Sequence, residues 1–177
     1  LQYRQLVRNE DWVRVETILG TAADQIAITP GVLQRSWTEN GRRYFHYDTE
    51  VPESFGATVI SGRYAVREDR WKDVALRIYH HPTHADNLDR VVRGMKESLA
   101  YFTEQFGPLP YHHLSIVEIP PYGSYGSAHP GMIAFSETFF GIRADEGDVD
   151  EPFYGTAHEV AHHWWGGQVR SAVVPGH

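Results

Sequence analysis

The feature that most limits what this chain can fold into is a change of hydrophobic period near residue 80. Before it, apolar and polar side chains alternate by twos. From Trp12 to Leu19, Val13, Val15 and Thr17 alternate with Arg14 and Glu16, the spacing of a half-buried strand. Gln34 to Trp37 and Tyr44 to Tyr47 flank Asn40-Gly41, a dipeptide that tolerates positive φ and suits a tight hairpin turn. Ala57 to Val66 and Val74 to Tyr79 read the same way, with a charged turn expected around Asp69. Residues 1–80 are therefore predicted to be antiparallel β.

After residue 80, Leu88, Val91, Val92, Met95, Leu99, Phe102 and Phe106 recur at steps of three and four until Gly107-Pro108. That spacing predicts an amphipathic helix, capped at its start by Asp86. Leu114 to Ile119 reads as a buried strand, residues 120–131 as a Gly- and Pro-rich loop, and Met132 to Ser136 as a short strand. A second helix is expected to begin near Asp150, with Pro152 in its first turn, and to end at Gly166-Gly167. The predicted class is α+β, without repeats or low-complexity tracts.

Composition narrows the partners. The chain has 177 residues, 41% of them hydrophobic, enough for an ordinary core. Lys and Arg number 16 against 23 Asp and Glu, a formal charge of −7, and no window joins basic with aromatic residues, so nucleic acid is not an expected partner. No apolar run reaches the roughly 18 residues of a membrane span, and the first positions mix charge with apolar side chains. The chain reads as a soluble segment with neither signal peptide nor membrane segment; its compartment is not legible. A start at Leu1 without Met suggests a piece of a longer protein. There is no cysteine, so a metal here would need histidine and carboxylate ligands.

The segment GTAHEVAHHWWGGQV, residues 155–169, supplies such ligands. Four helical residues rise roughly 6 Å and turn about 40° past a full revolution, so His158 and His162 project from one face and can share an ion. Glu159 lies about a quarter-turn from His158, placed to take a proton from a water held there. Zinc lowers the pKa of such a water towards ~7 and polarises a carbonyl, and a glutamate base completes metal-assisted hydrolysis. Trp164 and Trp165 follow and are expected to shelter the site. The competing reading is a helix whose histidines are ordinary core or surface residues.

These residues resemble the gluzincin metallopeptidases of the aminopeptidase N family, whose HExxHxW segment HEVAHHWWGG is similar to. FTEQFGPLPYHHLSIVEIP at 102–120 is similar to that family's helix end, turn and strand. PGMIAFSE at 130–137 is similar to the segment forming its edge strand, along which substrate lies. The resemblance implies a zinc site with His158 and His162 as ligands and Glu159 as general base. It further implies that residues 1–80 are the C-terminal part of an antiparallel β-domain, and 81–177 the first half of a thermolysin-like catalytic domain carrying the HExxH helix.

Two departures accompany it. The family's third ligand, a glutamate, would fall at position 181, past His177. Weak or absent zinc binding and no peptidase activity are therefore expected of this fragment alone, with His129 and His177 as substitutes that would complete the shell. The family's G-A-M-E-N glutamate, which binds a substrate's free amino group, is replaced by Gly126, Ser127, Ala128 and His129. His129, Gly131, Met132 and Glu137 are the candidate substrate-binding residues.

Other histidines carry plainer readings. His80, His81 and His84 are expected at a solvated strand-to-helix junction, His112 and His113 at a turn, and His163 facing away from the metal. YGSYGSAHPG lacks the lysine of a phosphate loop, and no G-x-S-x-G marks a serine nucleophile. The expected function of the intact protein is zinc-dependent hydrolysis of peptide bonds. The alternative is a non-catalytic binding or scaffold domain of the same fold. Self-association is expected if truncation exposes core.

Overall fold

The computed structural model describes residues 12–54, 58–121, 126–143 and 149–169. Its order is β1 (Trp12–Val13), β2 (Glu16–Ala22), β3 (Ile26–Ile28), β4 (Val32–Glu39), β5 (Arg42–Asp48), β6 (Glu53–Ser54), β7 (Ile60–Gly62), β8 (Ala65–Trp71), β9 (Val74–His80), α1 (Leu88–Phe106), β10 (His113–Ile119), β11 (Gly126–His129), β12 (Met132–Ser136), α2 (Glu137–Phe140) and α3 (Glu151–Ala161). The class is α+β, with mostly antiparallel pairing. No helix among the described residues is long and apolar enough to cross a membrane.

The first strands form small antiparallel units: β2-β5-β4, β3-β7 and β1-β6. Asn40 (φ 50°) and Gly41 (φ 73°) make the predicted two-residue turn, closed by Glu39 opposite Arg42. The next turn is misplaced in the sequence reading. It lies at Lys72-Asp73, where Lys72 takes φ 50°, while Asp69 sits inside β8 with its carboxylate 2.7 Å from Lys96 Nζ. Charge at Asp69 marks a strand residue tied to α1, not a chain reversal.

The largest sheet runs β11-β12-β10-β9-β8 and crosses residue 80. Its centre is parallel, β10 pairing in that sense with both β9 and β12, and α1 provides the crossover from β9 to β10 that such a pairing requires. Leu76, Ile78, Leu114, Ile116 and Ile133 pack with Val91, Met95 and Leu99 of α1 in the main core.

The cap position before α1 is Asn87 instead of Asp86, and Asn87 does not cap with its side chain. Its Nδ2 donates to the carbonyls of Phe140 (2.9 Å) and Ile142 (2.7 Å), pinning the chain after α2. The end comes where expected, with Gly107 N–H donating to Thr103 O at φ 100°.

The predicted loop is partly strand. Residues 122–125 lie outside the described residues, but Gly126–His129 forms β11, paired antiparallel with β12 through the Pro130-Gly131 turn. This strand, and not Met132–Ser136, is the sheet's edge; Met132–Ser136 runs buried between β10 and β11. Gly126, one of the small residues that made the segment look like a loop, lies where Glu159 of α3 comes close. That helix starts as predicted, Asp150 accepting from Phe153 N–H and Pro152 lying in the first turn. It stops sooner, at Ala161, where the N–H groups of His162, His163 and Trp164 turn to the carbonyls three residues back, and Gly167 N–H then donates to the His162 carbonyl.

Candidate metal centre

Helix α3 packs against α1 and β11. Gly94 of α1 lets the helices meet: a Cβ there would stand 3.0 Å from Thr156 Cβ and 3.1 Å from the Phe153 carbonyl. Val160 and Thr156 are fully buried in this contact, which sets the rotation of the helix. His158 and His162 then point to solvent while Glu159 turns inward, 8% exposed.

The donor atoms of His158, Glu159 and His162 all lie within 4.8 Å of one another. The two rings are 4.9 Å apart and nearly perpendicular, at 85°. His162 Nδ1 is 3.2 Å from the Trp165 carbonyl. With Nδ1 as the donor, the Nε2 lone pair stays free, the tautomer a metal ligand needs. The chain makes this contact by leaving the helix at Ala161, so the early helix end has a chemical consequence.

Burial raises the Glu159 carboxyl above its usual range, and the His162 and His158 charges partly offset that. Its environment is the first residue of β11. A Cβ on Gly126 would come 2.7 Å from Glu159 Oε1, 2.8 Å from its Cδ and 2.6 Å from Phe135 Cε1. Gly126 therefore holds open the space for the carboxylate, a role the sequence signalled only as one glycine among several in a turn-rich stretch.

The remaining candidates separate. His129 ends β11 and does not join the metal group; its ring nitrogens meet Thr58 Oγ1 (3.3 Å) and Ser127 Oγ (3.4 Å), and burial lowers its pKa. Gly131 (φ 65°) forms the turn and backs onto His113, and Met132 is buried in a small cluster with Ile28, Tyr79 and Val117. Glu137 opens α2 outside the group of metal donors. His177 lies outside the described residues. Only Glu159 joins the histidine pair within donor distance among the described residues.

The tryptophans divide their work. Trp164 is core, 2% exposed, its Nε1 donating to Gly107 O at 3.0 Å. Trp165 is 43% exposed and packs edge-on against Phe106 at 4.6 Å.

Two histidine readings change. Glu118 is buried beside the His80 junction and accepts from His81 N–H at 2.7 Å and His84 Nδ1 at 2.5 Å, making that junction an ordered clamp. His112 and His113 both bring Nδ1 within 2.9 Å of the Glu50 carboxylate. Burial pushes Glu50 up, but the hydrogen bonds from His112 and His113 outweigh it and its carboxyl sits below the usual range. His163 does face away from the pair, and its full burial pushes the imidazole down to about 3.

No family model matches this chain, and no curated protein matches it.

Proposed function

We propose that His158, Glu159 and His162 form the histidine pair and general base of a zinc peptidase centre, on a thermolysin-like arrangement of helix and edge strand. The observation that carries this reading is the asymmetry of the motif: two exposed imidazoles, one oriented by a backbone carbonyl, with a carboxylate held inward between them. The donor set suits zinc, and His158 and His162 would hold it through ring nitrogens.

Zinc there would supply a Lewis acid that polarises a peptide carbonyl and acidifies water. The chain's own groups do the rest. Glu159, partly desolvated, has a raised proton affinity that suits it to accept a proton from water and return it to a leaving amine. β11, an edge strand of its sheet among the described residues, runs beside this carboxylate, an extended backbone against which an extended peptide substrate would lie.

In the intact protein, Glu159→Gln is expected to lower kcat by about 100- to 10,000-fold while zinc content stays unchanged. Full activity in that variant overturns the assignment. The alternative, a binding or scaffold domain, is favoured by one feature: Gly126–His129 presents no carboxylate for a substrate amino group. A zinc-loaded wild-type protein with no turnover on a mixed peptide pool would select it.

A further inference from the structure

A second group of ligating side chains stands on β2 and β5, in a different sheet from the strands that α3 packs against. Glu16 and Asp48 are direct cross-strand partners, and His46 follows on the same face, opposite Ile18. Donor atoms of Glu16, His46 and Asp48 all lie within 4.8 Å of one another. His46 Nε2 is 2.9 Å from Glu16 Oε1 and 3.5 Å from Asp48 Oδ1. Yet that nitrogen is enclosed and meets neither oxygen with hydrogen-bond geometry. Two carboxylates directly opposite on antiparallel strands repel, and among the described residues no lysine or arginine pairs with either. Arg35, opposite His46 on β4, is turned onto the Trp37 ring at 4.6 Å.

We propose that Glu16, His46 and Asp48 bind a divalent first-row transition ion that staples β2 to β5. An imidazole nitrogen with two carboxylates is a mixed donor set suited to zinc or manganese, whereas calcium and magnesium take oxygen alone. The ion would occupy the space faced by His46 Nε2, neutralise the opposed carboxylates and complete its shell with water at the exposed Glu16 side. This site is independent of the peptidase reading, because it shares no residue with α3.

The test is calorimetric titration of the full chain with zinc, in a His158→Ala/His162→Ala background that removes the first site. One equivalent is expected to remain bound. Adding His46→Ala abolishes it, and Glu16→Gln weakens it by about tenfold or more, since losing a direct ligand costs at least as much as losing an outer partner. Zinc should also raise Tm in the background variant and leave it unmoved once His46 is replaced. If His46→Ala does not fold by circular dichroism, Glu16→Gln decides, because that side chain is 69% exposed and its loss spares the core. No binding in the background variant, or binding indifferent to Glu16 and His46, overturns the site.

Discussion

The β2-β5-β4 sheet and the β11-β12-β10-β9-β8 sheet are both mixtures of short strands, yet they use their residues differently. β2 alternates exposed and half-buried positions, with Ile18 57% exposed on the open face. β10 is buried from His113 to Glu118 without alternation, because α1 covers one face while Val117 packs with Ile28 and Tyr79 on the other. One-sided burial leaves a period of two; two-sided burial erases it. The same contrast governs chemistry. The open face keeps charged groups such as Glu16 in contact with water, whereas the packed sheet buries the His113 imidazole and holds Glu159 against its edge.

Truncations should break the two regions unequally. Ile116→Ala in β10 removes a fully buried side chain and is expected to cost about 2–5 kcal/mol in urea unfolding. Ile18→Ala on β2 should stay within about 0.5 kcal/mol. Equal losses would mean that the open face of β2 is covered in solution.

Acid should sharpen the contrast next. His163 and His113 are held neutral by burial, each below the usual 6.5. Their unfolded forms take up protons first as pH falls, so stability present above about 6.5 is lost progressively below it. For His163 the loss is on the order of a few kcal/mol by pH 3. Tm measured from pH 7 to pH 4 should fall, and His163→Gln should flatten the slope. An unchanged slope would place the acid sensitivity elsewhere.

Glycine replacements compare the two regions at a smaller scale. Gly126→Ala drives a methyl into Glu159 and Phe135 and is expected to cost about 1–3 kcal/mol. It should also lower peptidase activity in the intact protein. Gly20→Ala meets only the Tyr44 ring, at 2.8 Å, on the open sheet and far from Glu159; a smaller loss is expected. Asp150→Ala removes the α3 cap and an ion pair to Arg93, for about 1 kcal/mol by thermal unfolding.

Much of this was legible in the chain. Asn40-Gly41, the α1 stripe up to Gly107 and the Asp150–Pro152 start of α3 are local signals, each specified by residues within a few positions of where it acts. The failures share a different origin. β11 was hidden because Gly126 looks like a turn residue until α3 is seen lying on it. The Glu118 clamp on the His80 junction joins residues 34 or more apart in sequence, and His112 and His113 meet a carboxylate more than 60 residues away. No window contains such pairs.

The sequence by itself determined the spacing of His158, Glu159 and His162, since four residues of helix make about one turn and bring the two histidines to one face. Tertiary structure decided which of the three faces inward, through Val160 and Thr156 against α1 and Gly126 against Glu159. It also decided which nitrogen of His162 is free, by ending α3 early and bringing the Trp165 carbonyl back to the ring. Proximity in the chain sets what side chains can meet along one element. Burial, which sets their protonation and orientation, depends on elements the motif does not contain.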